Sequence, residues 1–451
     1  MENKMGTMKI SKLLMTMSGP AIASMFINSL YNIVDSIFVS YVGEKALAAV
    51  SIAYPIQMFM IAMGIGTGVG INSLIARRLG AKRFDDANKA ASSGIKLAFF
   101  NWIVFLIIGF FFVEKFINVF TDDPLLRTYG IEYLSVVCYG CVFMMVSVLL
   151  EKIFQSTGNM IYPMIIMTVG AIVNVLLDPV LIFGMFGMPK LDVAGAALAT
   201  VISQAIAMIV GLILLYTKGS AVKVEIFSKI DWKSIKEIYA VGFPTIIMQS
   251  LISVLMFGIN AILAAFSTTA VAIMGVYGKL QSFVFMPVFG VNQGALPIMG
   301  YNYGARNKSR MFGTYKLATV IGVGIMAIGF LIFQFMPDVL LNLFNASPEM
   351  LEQGETALSI ISFCFIPAGF SIIVTGLFQA TGHGFFGLWG SMIRQFVLIL
   401  PIAYFGGKMF GINAVWAAFP IAEIGGLIYF MCAFRYIYNT TYKHLEDRKE
   451  V

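Results

Sequence analysis

The chain has 451 residues, of which 59% are hydrophobic and 12% charged, with a formal net charge of +7. A soluble domain carries about 25% charged residues, so a water-soluble globular protein is excluded, and 49.4 kDa leaves no room for a large soluble domain beside the apolar segments. The positive excess does not point to nucleic acid, because the basic residues sit in alternate loops, as membrane topology demands. The first apolar segment, 14–40, follows Lys4, Lys9 and Lys12 and has no small-residue cleavage site. It reads as an uncleaved first helix rather than a signal peptide.

A spanning helix needs about 20 mainly apolar residues. Further segments of this kind are 51–76, 92–113, 131–156, 160–185, 194–216, 239–264, 272–299, 312–335, 356–380, 388–407 and 411–436. The polar stretch from Lys218 to Glu237 parts the sixth from the seventh. The predicted fold is an all-α membrane protein with twelve transmembrane helices in two six-helix lobes. The lobes are 1–217 and 239–451, with a linker at 218–238 and a short tail at the end. Arg77, Arg78, Lys82, Arg83, Lys89 and Lys96 cluster around the loop joining spans two and three, and Arg306, Lys308, Arg310 and Lys316 around the loop joining eight and nine. The opposite loops carry Asp122, Asp123, Asp338, Glu349 and Glu352. Both termini, with the linker, are therefore expected on the cytoplasmic side of the plasma membrane.

The chain also repeats itself at an offset of 224 residues. Phe154-Gln155 with Thr157-Gly158 returns as Phe378-Gln379 with Thr381-Gly382, Pro20 returns as Pro244, and Gly66 and Gly70 return as Gly290 and Gly294. Each copy has six spans, an even number, so both enter the membrane in one orientation. The expected pseudo-twofold axis then runs along the membrane normal, with the two lobes rocking about a shared site.

Acidic residues inside spans are the first functional candidates, because a buried charge needs a partner or a task. Asp35, Asp178 and Glu423 stand out. Asn174 lies one helical turn before Asp178 on the same face, and Thr200 falls near the start of the sixth span, at the same expected level as both carboxylates. Four oxygen-bearing side chains meeting there would suit a Na⁺ ion or a shared proton. The plainer alternative is that Asn174 and Thr200 bond helix backbones while Asp178 caps a break at Pro179. Laid on the repeat, Asp35 corresponds to Ile259, Asn174 to Leu398 and Asp178 to Ile402, so only the first copy keeps the acidic set.

Other polar residues in the spans have weaker claims. Lys279 either lines the substrate cleft, where it would repel cationic substrate or hold the lobes apart, or snorkels to the interface. Arg394 and Glu423 read as a charge pair of the second lobe, more as a structural pair than as a coupling site. Gln155 and Gln379, on equivalent helices, are candidates for the substrate cleft or for interhelical hydrogen bonds. The 29 Met and 40 Phe suit an adaptable apolar wall. Gly64, Gly66, Gly68 and Gly70 sit inside a span, where small residues permit close helix packing. No Gly-x₄-Gly-Lys-Ser/Thr segment is present, so ATP is not expected as energy source. His383 and His444 are the only histidines, and no nucleophile has a plausible base partner, so an enzyme is not expected. Cys138, Cys141, Cys364 and Cys432 read as small hydrophobes.

Taken in order, these pieces resemble the multidrug and toxic compound extrusion (MATE) transporters, and most of all their MepA-like bacterial branch. The resemblance rests on Pro20, Asp35, Arg78-Leu79-Gly80-Ala81, Gln155-Ser-Thr-Gly158, Asn174-x₃-Asp178-Pro179, Gly195-Ala-Ala-Leu-Ala-Thr200, Gln379-Ala-Thr-Gly382 and Glu423. It implies a cation site in the first lobe, with Asp35, Asn174, Asp178 and Thr200 coupling H⁺ or Na⁺ (the possible metal) to the export of amphipathic, often cationic drugs. It implies no organic cofactor, a monomer in the lipid bilayer, and a role in antibiotic resistance. Some similar transporters bind Na⁺ through acidic residues of helices seven and ten. Here 239–264 and 356–380 offer none except Glu355 at the rim, so the first lobe is expected to dominate. A lipid-linked precursor flippase, or another solute exporter of the same superfamily, is the alternative.

Overall fold

The computed structural model describes residues 4–217, 221–225, 227–344 and 346–445. The ends of the chain and Lys218–Ser220 of the expected linker lie outside the described residues. We number the helices α1 (Lys4–Thr7), α2 (Ile10–Val42), α3 (Glu44–Gly80), α4 (Phe84–Phe111), α5 (Val113–Phe120), α6 (Pro124–Ser156), α7 (Ile161–Phe183) and α8 (Asp192–Thr217). They continue as α9 (Trp232–Ala264), α10 (Thr268–Gly304), α11 (Lys308–Phe335), α12 (Pro337–Asn342), α13 (Pro348–Ser362) and α14 (Phe365–Ala380). The last are α15 (Gly384–Phe410) and α16 (Ile412–Thr440).

Eleven of these are long and apolar enough to cross a membrane, and α13 with α14, bent by 45° at their junction, makes up to twelve. The expected span 356–380 is thus broken. Pro367, near the start of α14, has no N–H and its ring obstructs the carbonyl four residues earlier, which favours a bend there. Helix α15 is wound as π-helix at Ile393–Ile399 and Ile402–Gly406, on either side of Pro401. Large side chains such as Phe110, Phe335 and Phe257 are exposed, and exposed apolar surface of this kind suits a hydrocarbon surrounding.

Helix ends follow local chemistry. Asp123 caps α6 by accepting from Leu125 N and Leu126 N, while Ser267 and Asn307 cap α10 and α11, each satisfying amide groups that the first helical turn leaves free. The repeated Gln-x-Thr-Gly motif is a helix stop. Gly158 and Gly382 adopt φ of 87° and 89°, a left-handed conformation that glycine takes without Cβ strain. Asn159 N and His383 N then return to the carbonyls of Phe154 and Phe378.

The lobes 1–217 and 239–451 are units of sequence. By packing, the described residues form two compact units, 23–246 on one hand and 1–22 with 247–451 on the other. In the 23–246 unit, a Cβ at Gly66 would fall 2.8 Å from Ile246 N; in the other, a Cβ at Gly290 would fall 2.9 Å from Ile22 N. Gly66 and Gly290, and likewise Ile22 and Ile246, are 224 residues apart, so the same glycine-permitted crossing is built twice. Within the 23–246 unit, Arg78 donates to Asp86 O and Ser234 Oγ, both at 2.6 Å. Lys223 N and Glu225 N donate to Asn88 Oδ1 and Ser92 Oγ. In the second unit, Arg310 donates to the carbonyls of Met5 and Met8 and thereby fixes α1.

Candidate cation site

Three helices of the 23–246 unit supply the expected acidic set. Helix α7 runs unbroken through Pro179 to Phe183, so Asp178 does not cap a break there. Asn174 and Asp178 lie one turn apart on α7 and are 1% and 0% exposed; Thr200 on α8 is 8% exposed. Asn174 Nδ2 donates towards Asp178 Oδ1 and Thr200 Oγ1, each at 3.5 Å, long for such bonds. Asp35 on α2 is half-buried and acts electrostatically on Asp178.

The arrangement is short of donors. Asp35 Oδ1, Asn174 Oδ1 and Asp178 Oδ2 are buried without a hydrogen-bond partner. A buried acceptor left unpaired costs about 1–3 kcal/mol, more when charged. An all-oxygen set of two carboxylates, an amide and a hydroxyl fits a hard cation, and either carboxylate fits a proton.

Sequence reasoning missed the rest of the shell. Tyr31 and Tyr133 feel the charges of both Asp35 and Asp178, and Gln57 Nε2 donates to Tyr133 OH at 3.0 Å. Tyr31, one turn before Asp35, was within reach of the spacing argument. Gln57 and Tyr133 are brought in by α3 and α6, and no local pattern marks them.

The remaining candidates lie elsewhere. Gln155 is 4% exposed and accepts from Lys152 Nζ at 3.0 Å and from Asn72 Nδ2 at 3.5 Å, the interhelical role. Gln379 is also buried, at the end of α14. Lys279 is exposed, with Nζ 5.8 Å from the Phe344 ring centre. In the second unit Arg394 Nη1 donates to both oxygens of Glu423, at 3.0 and 3.1 Å. One reading needs correction: buried acids in the spans are not limited to Asp35, Asp178 and Glu423. Glu151 and Lys152 on α6 are 9% and 7% exposed. Adjacent and opposite in sign, they were not singled out from the sequence.

Comparison with known proteins agrees with this architecture. The chain is 27% identical over 427 residues to the multidrug export protein MepA of Staphylococcus haemolyticus, covering 94% of this chain and 92% of that one. It is 25% identical over 423 residues to an FAD transporter of Shewanella oneidensis, covering 92% of each. Among solved structures, an outward-facing multidrug resistance MATE family transporter of the MOP superfamily shares the fold at a TM-score of 0.90, with 24% identity and 98% of each chain covered. A family profile described as MatE matches residues 20–180 and again 244–405, one match for each copy of the internal repeat, and the chain therefore belongs to the MatE family.

Proposed function

We propose that the chain is a cation-coupled antiporter that exports amphipathic, often cationic organic compounds by alternating access. Asp35, Asn174, Asp178 and Thr200 load the coupling H⁺ or Na⁺. The observation that carries this reading is the group of three buried, unpartnered oxygens on Asp35, Asn174 and Asp178. Their repeat equivalents, Ile259, Leu398 and Ile402, are all apolar, so the acidity is not a by-product of the scaffold. The similarity to multidrug export proteins supports the substrate class. The basic loops support cytoplasmic termini.

Energetics bound the exchange. One charge moved through ~100 mV yields about 2.3 kcal/mol, and one pH unit about 1.4 kcal/mol. One proton exchanged for one monovalent cation is electroneutral and supports only about tenfold accumulation per pH unit; two carboxylates allow a second coupling charge. The similarity to an FAD transporter favours a second reading, the export of an anionic solute. Ethidium flux in vesicles under imposed pH or Na⁺ gradients tests the proposal. Asp35→Asn and Asp178→Asn are each expected to abolish gradient-driven flux. Unchanged transport in both variants would remove the coupling role, and transport driven only by ATP would remove the class.

A further inference from the structure

We propose that Glu151 is a second proton-carrying carboxylate of the 23–246 unit: it takes the proton given up by the Asp35–Asp178 pair and releases it to water on the side of the basic loops. The proposal rests on the coupling role of Asp35 and Asp178, with H⁺ as the coupled ion.

Glu151 is 9% exposed, and among the described residues its carboxylate accepts no hydrogen bond and forms no ion pair. An acid in that position inside a span calls for a task. Its charged neighbour is Lys152, which acts on it electrostatically while donating to Gln155. The charged residues of α3 and α8 lie towards the helix ends, Asp178 is the one charged residue of α7, and Lys96 of α4 is bonded to the Ser228–Lys229 backbone. No carboxylate other than Asp178 therefore stands mid-span on α3, α4, α7 or α8.

The geometry links Glu151 to the cation site. Tyr133, which feels both Asp35 and Asp178, and Glu151 are five helical turns apart on α6. They therefore share one face and are separated by about 27 Å. Gly140 and Ser147 lie on that face between them. A Cβ at Gly140 would touch Val201, next to Thr200, so the face is turned towards α8. At the other end, Gly68 of α3 lies against the Lys152 side chain. Arg77, where the basic loop begins, is nine residues further along α3, about 14 Å away. Glu151 thus stands between the acidic pair and the basic loop. As Asp178 passes from acid to carboxylate, Glu151 passes from carboxylate to acid, with the Ser147 hydroxyl on the face between them. It then returns the proton to bulk water, with only O–H bonds exchanged.

The test uses the full-length protein in liposomes carrying a lumenal pH dye, with ethidium as substrate. Glu151→Gln is expected to bind ethidium like the unaltered protein but to lose about a hundredfold in pH-driven flux and in coupled proton flux. It should also lose the dependence of rate on pH at the release side while keeping it at the loading side. Glu151→Asp is expected to recover most of the flux. A merely structural Glu151 would alter binding or folding and leave the release-side pH profile in place. If Asp178→Asn is inactive while Glu151→Gln keeps the normal release-side profile, this proposal alone falls. If Asp178→Asn also behaves normally, or flux follows Na⁺ and ignores pH, proton coupling at the acidic pair falls with it.

Discussion

The Arg394–Glu423 pair offers a sharp test of whether the second unit couples ions or only holds itself together. The side chains are 23% and 7% exposed, so Glu423→Leu would strand a guanidinium with little water around it. Breaking a buried ion pair costs about 3–5 kcal/mol. Because Arg394 keeps partial contact with solvent, a value near 3 kcal/mol, the lower end, is expected. Glu423→Gln keeps the shape and one acceptor and should lose about 1.5 kcal/mol, the increment for a hydrogen bond to a charged group. Arg394→Met combined with Glu423→Leu removes both charges and should return to within about 1 kcal/mol of the parent, since apolar replacement of a buried pair is often neutral. Thermal unfolding of purified protein reads these as a drop of about 6–12 °C for the Leu single variant, at about 2–4 °C per kcal/mol for a domain of this size. The midpoint should largely recover in the double variant. A double variant as unstable as the single would refute the pairing argument. A stable double variant that has lost gradient-driven ethidium efflux would refute the structural role.

Two further outcomes follow from helix packing and from the linker. Gly66→Ala is expected to cost about 1–3 kcal/mol, as overpacking does, because its Cβ would meet the Ile246 backbone. Gly324→Ala, with nothing within 4 Å, should be neutral or gain up to about 1 kcal/mol of helix propensity; equal unfolding midpoints for the Gly66→Ala and Gly324→Ala variants would contradict this. At the start of α9, Ser234 Oγ donates to Asp231 Oδ2 and Lys233 N to Oδ1, and these bonds, the serine first, hold the Asp231 carboxyl below its ordinary value. The stability it contributes is present above the unfolded value of about 3.9 and is lost as pH falls through its lower folded value. Unfolding midpoints should therefore converge for the parent and Asp231→Asn in acid and separate near neutrality, and a constant gap would count against this.

The spans, the repeat and the Asn174–Asp178 pair on α7 were legible because each leaves a local mark: long apolar runs, matched residues at a fixed offset, and a carboxylate where carboxylates are costly. The break between α13 and α14 was not anticipated, although Pro367 announces it, because hydropathy averaged over 356–380 hides one missing N–H. Gln57 and Tyr133 were out of reach for another reason. Their hydrogen bond joins residues 76 positions apart, and it exists only once α3 lies on α6. Glu151 was overlooked because Lys152 beside it cancels the charge in one dimension, whereas on a helix the two side chains point about 100° apart.

The contact of Arg310 with the carbonyls of Met5 and Met8 spans 305 and 302 positions of sequence, and residues 1–22 pack with 247–451. Residues 23–246 are continuous, so their unit can assemble while the ribosome is still working. Residues 1–22 must wait. At ~5–20 residues per second, the stretch up to residue 247 takes roughly 10–50 s to synthesise, and only then do the first partners of α1 emerge. Among the earliest parts of the protein to be made, the amino-terminal residues are among the last to find their contacts. Damage to α1 should therefore surface as a late failure of assembly in an otherwise inserted protein.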